Sequence, residues 1–279
     1  MPKKNLTVLL ARQRSGTHFL ASVLSSHPEV HCWGEILNSR EDAITRFDWN
    51  YFAYLARTTD IVKYNPDTEL EHFEGFIDWL RDRTPAPNVV IDIKYNSLNH
   101  VPVGWAGPAS PPGILTWFIE QGARVIRLTR RNHLRHIVSE KLANANQRWH
   151  IVNGEPLKQA RVSLSPEAIL KRLKVAANAD AYFDHVFTLY PDLGPDQYLE
   201  FDYEDMVPVL NKGMSNSVKD RLASFLQVDA QYFSDQGNLR KSAPQPLDQI
   251  ISNYDLIASA LRGTPYESFL QDEKMHQPE

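Results

Sequence analysis

Cysteine is almost missing from this chain: Cys32 stands alone among 279 residues. A lone thiol closes no internal disulfide and completes no structural metal site of cysteines, so a reducing, cytoplasmic setting fits best. Long apolar runs are missing too. The N-terminal run Leu6 to Ala11 is too short for the core of a signal peptide, and no later stretch approaches the ~20 apolar residues a membrane span needs. The chain is therefore expected to be neither exported nor membrane-embedded. Excess positive charge is absent: 30 Lys and Arg against 34 Asp and Glu leave a formal charge of −4, with a pI near 6.2. That balance gives no broad basic face for DNA or RNA, so any anion site must be local. Internal repeats and low-complexity tracts are lacking as well.

What is present is enough for one large core. An apolar content of 42% over 279 residues suits a single domain spanning the chain without staples. Prolines gather near Pro108, Pro111 and Pro112 and near Pro244 and Pro246, which points to long ordered loops over that core.

Leu6 to Leu10 reads as a buried strand running through a polar loop, Ala11 to Gly16, into a helix over Thr17 to Ser26. A second buried strand is expected at Val89 to Ile93. An amphipathic helix precedes it, with Phe73, Phe76, Ile77 and Leu80 on one face. Ile114 to Gln121 is helical until Gly122 stops it, and Arg124 to Thr129 forms a third strand. A helix follows over Leu134 to Asn146. Ser165 and Pro166 cap a long helix toward Tyr190, and Gln197 to Phe201 makes a fourth strand. Ile250, Ile251, Tyr254, Ile257, Ala258 and Leu261 trace an apolar stripe that packs a C-terminal helix on the body. Strands alternating with helices predict an α/β three-layer sandwich with a mostly parallel central sheet.

Two segments carry chemistry. In Arg12-Gln13-Arg14-Ser15-Gly16-Thr17 a strand delivers a short loop to a helix start, where free N–H groups and the dipole favour an anion. An ordinary strand-to-helix turn capped by Thr17 is the plain alternative. The nucleoside triphosphate loop needs an earlier glycine and a lysine after the second one; both are absent, which weighs against a kinase-like phosphotransferase. The second segment is the strand Val125 to Thr129, ending in Arg130 and Arg131, with Ser139 eight positions beyond Arg131. A strand-end guanidinium and a hydroxyl two turns into the next helix suit one phosphate. A solvated helix face of Arg130, Arg131, Arg135 and Lys141 is the alternative.

Together these segments resemble the sulfotransferases that use 3′-phosphoadenosine 5′-phosphosulfate (PAPS), in their bacterial carbohydrate branch with the trehalose and Nod-factor enzymes. Arg14-Ser15-Gly16-Thr17 is similar to their P-loop-like 5′-phosphosulfate loop, and Arg131 with Ser139 to their 3′-phosphate motif. Ile93-Lys94-Tyr95, Tyr203-Glu204-Asp205-Met206, Leu239-Arg240-Lys241-Ser242 and the ending Leu261 to Tyr266 resemble further family segments in the same order. Residues 40–85 and 145–165 carry no such match. The resemblance implies a sulfotransferase fold with acceptor-side loops or a lid around 35–85 and 145–165.

It also implies roles. Arg131, Ser139 and Arg240 would hold the 3′-phosphate. Arg14, the amides of Ser15, Gly16 and Thr17, and the Thr17 hydroxyl would hold the 5′-phosphate. His18 adjoins that loop, Tyr203 would touch the adenine, and Lys241 would assist. Arg14 and Lys94 would stabilise charge on the leaving oxygen, leaving 3′-phosphoadenosine 5′-phosphate (PAP) as product. No metal is implied: a sulfonate carries less charge than a terminal phosphate, and no carboxylate cluster stands in the sequence to ask for one. The animal cytosolic branch places a histidine base where this chain has Asn96, so that mechanism does not transfer. Gly34-Glu35 matches the place of the base in the trehalose-modifying branch, which implies Glu35, with His18 as the rival. The acceptor implied is a hydroxyl on a small molecule or glycolipid, and the relatives' habits imply a homodimer as one oligomeric form. A catalytically silent phosphoadenosine-binding module is the alternative that lacks turnover.

Overall fold

The computed structural model describes residues 4–58, 68–101, 110–146, 160–207, 213–234 and 245–271. Its centre is a sheet of five strands: β1 (Asn5–Ala11), β2 (Val30–Glu35), β3 (Asn88–Lys94), β4 (Arg124–Thr129) and β5 (Tyr198–Asp202), in the order β2-β3-β1-β4-β5. Every pairing is parallel. Parallel strands need covered faces, and these have them. On one face Leu6, Val8, Leu10, Ile91 and Val125 pack with Phe73, Phe76 and Ile77 of α4 (Glu69–Asp82) and Ile114 and Phe118 of α5 (Gly113–Glu120). On the other, Leu9, Val90, Ile126 and Leu128 pack with Leu20 and Leu24 of α1 (Thr17–Leu24) and Leu222 and Leu226 of α9 (Asn216–Leu226). The three-layer α/β sandwich is therefore as expected.

The remaining helices are α2 (Glu41–Arg46), α3 (Tyr51–Thr58), α6 (His133–Asn146), α7 (Pro166–Thr188), α8 (Tyr203–Met206), α10 (Leu247–Ile250) and α11 (Tyr254–Leu261). Ser165 caps α7 as its sequence requires, its side chain accepting from the Ala168 amide at 3.3 Å. The C-terminal stripe is split rather than continuous. Ile251 turns extended and bridges Val162, so α10 and α11 bury their apolar residues against α6 and α7 as two short pieces.

The fifth strand, β2, is the other departure from expectation. Its sequence, VHCWGE, interrupts its apolar residues with polar ones and a glycine, as an edge strand does, and it hides the device that creates the site. Parallel pairing runs in step from Val30 opposite Asn88 to Trp33 opposite Ile91, and then Glu35 stands opposite Asp92, so Gly34 is a bulge. Side chains alternate along a strand, and one extra residue reverses the alternation. Trp33 accordingly packs on the α4 side of the sheet, while Glu35 shares the α1 side with Asp92 and Lys94.

Candidate active site

β1 is central, and its last residue, Ala11, pairs with Lys94 at the end of β3 and with Leu128 near the end of β4. The loop after β1 thus opens where neighbouring strands end, the usual ligand crevice of a parallel sheet. Two left-handed residues shape it: Arg14 at φ 65° and Gly16 at φ 95°. At Gly16 a side chain is excluded twice over, by that φ and by Tyr203, whose Cδ2 would lie 2.4 Å from an added Cβ. The loop ends on the first turn of α1.

Cations crowd this loop. Arg14 donates from Nη2 to Ser139 Oγ at 3.1 Å and from Nε at 3.4 Å, and Arg130 donates to the Arg14 carbonyl oxygen at 3.3 Å. Burial, and then the charge of Arg130, push the Arg14 guanidinium below its ordinary range. Positive charges held together against their own repulsion make a ready anion site. His136 stays neutral, its value lowered to about 3 by burial and then by Arg12. It bonds the Gln13 carbonyl through Nε2 and thereby ties the loop to α6. Arg12 is balanced separately, 3.7 Å from Asp180.

A second cluster sits beside the loop. Lys94 is 1% exposed, and its ammonium donates to Thr17 Oγ1 at 2.5 Å and to both oxygens of Asp92 at 2.7 Å. Glu35 Oε1 lies 3.5 Å from Lys94 Nζ and 3.6 Å from His18 Nε2, and Asn38 donates to Oε2 at 3.1 Å. Burial alone would raise the Glu35 carboxyl, but His18 and Lys94 outweigh it and bring it to about 2. Glu35 is therefore ionised at neutral pH. The expectation that no carboxylates cluster is corrected here, because the topology gathers Glu35 and Asp92 with His18 within 4.8 Å. Lys94 lies among them, 2.7 Å from Asp92 and 3.5 Å from Glu35.

Glu35 depends on the bulge, and the bulge depends on Gly34. A Cβ at Gly34 would lie 2.5 Å from Trp49 Cη2. Gly34→Ala must displace the Trp49 ring or straighten the strand. We expect a stability loss of about 1–3 kcal/mol from overpacking, measured by urea denaturation. A fall in turnover larger than the stability loss explains should accompany it as Glu35 is re-aimed.

The second strand-to-helix junction is built differently from the expectation. Glu204 accepts from the backbone amides of Arg131 at 3.1 Å and Asn132 at 3.3 Å, so a carboxylate of the chain already occupies the amides before α6. Arg131 is not brought to Ser139. Its exposed guanidinium pairs with Asp205 at 2.7 Å and Asp202 at 3.0 Å, the nearest carboxylates to a solvent-facing arginine, and Ser139 receives Arg14 instead. Tyr203 turns its ring against Gly16 and beneath Arg130, whose Cζ is 4.9 Å from the ring centroid. The Tyr203-Glu204-Asp205 segment therefore braces both junctions. Arg130, Asp92 and Glu204 were not foreseen as site residues; Arg240 and Lys241 lie outside the described residues.

Fold, loop and converging cations together make an α/β crevice suited to an anion. No family model matches the sequence. Over 273 residues, 97% of this chain and 95% of the relative, the chain is 24% identical to nodulation protein H of Rhizobium tropici. Among solved structures it is similar to a sulfotransferase from Alicyclobacillus acidocaldarius, with 12% identity, a TM-score of 0.45 and coverage of 97% and 96% of the two chains. It is also similar to the sulfotransferase domain of the Synechococcus PCC 7002 olefin synthase, with 17% identity, a TM-score of 0.39 and coverage of 94% and 89%. The match to nodulation protein H runs along nearly the whole of both chains, in keeping with the resemblance to sulfotransferases read from the sequence. Among the described residues no helix is long and apolar enough to cross a membrane.

Proposed function

We propose that the protein moves a sulfonate group from PAPS to a hydroxyl of a carbohydrate or glycolipid acceptor, with Glu35 as general base. The observation that carries this reading is the convergence of Thr17, His18, Glu35 and Lys94, from three separate segments, on one point beside the anion loop. The loop amides of Ser15, Gly16 and Thr17 and the Arg14 guanidinium suit the 5′-phosphosulfate. Lys94, bonded to the Thr17 hydroxyl, stands where the transferred group would lie. In the reaction the acceptor oxygen forms a bond to sulfur as the bond from sulfur to the 5′-phosphate oxygen breaks. The electron pair leaves with that oxygen on PAP, and the hydroxyl proton passes to Glu35. An alcohol becomes acidic only as the new bond forms, so a carboxylate ionised at the outset is a competent acceptor. Fixed cations, rather than a metal, balance the charge on the departing phosphate.

Ser139 and Arg131 are the 3′-phosphate ligands in this reading. Arg131 would leave Asp205 to do so, and the exchange is inexpensive: an exposed ion pair is worth about 0–1 kcal/mol, whereas hydrogen bonds to a charged group bring about 1.5–3 kcal/mol. Titration calorimetry tests this. PAP should bind more tightly than adenosine 5′-phosphate, and Arg131→Ala should shrink the difference by about 10-fold or more. Equal binding of the two nucleotides by the native protein would remove the 3′ site from the account. The reading places the protein in the cytoplasm, the reducing setting that a lone cysteine fits.

A further inference from the structure

Asp92 is absent from the roles assigned so far, yet it is the principal partner of the central cation. It lies two residues before Lys94 on β3, so both side chains point to the same face of the sheet. It is 3% exposed. An ammonium has three protons to give. Here they are directed to the two Asp92 oxygens at 2.7 Å and the Thr17 hydroxyl at 2.5 Å, while Glu35 stands off at 3.5 Å. Two carboxylates compete for one cation, and the geometry decides the competition in favour of Asp92.

That outcome has a chemical use. A base that holds a lysine in a close ion pair is a poor acceptor for a proton, because its lone pairs are already engaged. A lysine drawn toward the base has also left the loop where the transferring group must lie. We infer that Asp92 is a positioning residue, which fixes Lys94 at the Thr17 hydroxyl and keeps its ammonium from closing on Glu35. The inference rests on the proposed roles of Glu35 and Lys94. It adds a division of labour between two buried carboxylates: one anchors the cation and the other takes the proton.

Asp92→Asn keeps the shape of the side chain but leaves a neutral acceptor in place of two charged ones. Lys94 then has Glu35 as its nearest carboxylate, and both functions suffer together. Steady-state kinetics should show kcat reduced about 30-fold or more, with PAP affinity by calorimetry within about 3-fold of native. The decisive readout is a double-mutant cycle. If Asp92 acts by keeping Lys94 off Glu35, adding Asp92→Asn to Glu35→Gln should cost no more than about 3-fold beyond Glu35→Gln alone.

Full multiplication of the two losses would make Asp92 an independent structural support and overturn the inference. So would a native kcat in Asp92→Asn. Should Asp92→Asn fail to fold, Asp92→Glu carries the test, because it keeps the charge at a longer reach. It should retain a kcat well above that of Glu35→Gln, and an equal loss would count against the inference. A Glu35→Gln enzyme with native turnover would instead defeat the proposed base, and the inference with it. A slow Glu35→Gln enzyme beside a native-rate Asp92→Asn enzyme would defeat only the role of Asp92.

Discussion

Glu35→Gln should leave nucleotide binding intact and slow turnover by about 100- to 10,000-fold, the range that a positioned general base supplies. The substitution is nearly isosteric, so the contact with Asn38 and the bulge at Gly34 survive while the proposed proton acceptor is lost. His18, 3.6 Å away, is the internal control. Native turnover in Glu35→Gln, with loss of turnover in His18→Ala, would transfer the role to the imidazole. The pH profile carries independent information. Because His18 and Lys94 bring the Glu35 carboxyl to about 2 against its burial, the carboxylate is formed throughout the neutral range. The acid side of kcat/KM should therefore show no fall from this group until well below pH 4, roughly its unperturbed range. The stability linkage has the same sign. A depressed carboxyl contributes stability that is present above its unfolded value near 4.5 and is lost as the pH falls through about 2.

Arg14→Ala should be comparably severe but different in kind. The guanidinium is the loop's own cation and the partner of Ser139, so its loss removes the proposed anion ligand and the tie between the two strand-to-helix junctions. Turnover should fall about 100- to 1,000-fold, as when a preorganised donor to a developing charge is deleted. Unlike Glu35→Gln, the variant should also bind PAP more weakly in calorimetry. Lysine at this position should restore part of the binding and less of the rate, because an ammonium cannot reach Ser139 and a phosphate oxygen with the same fork. Retained PAP affinity in Arg14→Ala would show that the anion does not sit in this loop.

The contrast between the two variants follows from how the site is assembled, and that assembly was only partly legible in the sequence. β1, β3 and β4 announced themselves as short apolar runs with turn signals, and the loop from Ala11 to Gly16 follows from them. Arg14 could be placed because it stands in the loop that follows such a run, whereas Lys94, the last residue of β3, was placed by resemblance. β2 could not, since a half-exposed edge strand need not carry an apolar run. Its bulge at Gly34 is set by the close approach of Trp49, from 15 residues further on, a contact that no local pattern encodes. Glu35 was therefore foreseen by resemblance, without the physical reason for its direction.

Asp92 did leave a signal. A charged pair two residues apart inside an otherwise apolar strand, Asp92 and Lys94, is costly to bury unless the two charges meet. Arg127 left a similar one in β4, where it is buried against Tyr95, Asp184 and Glu200. Arg130 and Arg131 show the limit of such reading. Adjacent in sequence, they part in space: one turns onto Tyr203 and the loop, and the other goes to the acidic pair Asp202 and Asp205. Which of two neighbouring arginines faces a site depends on where distant carboxylates fall, and Glu204 and Asp205 arrive from beyond β5.

The most direct test is transfer itself. Purified protein, sulfur-35-labelled PAPS and an extract of candidate acceptors should yield a labelled product together with an equal amount of PAP, without added nucleoside triphosphate. The same label should be lost in Glu35→Gln and Arg14→Ala. Failure of the folded native protein to move label above a protein-free control, across extracts rich in carbohydrate and glycolipid hydroxyls, would contradict the account.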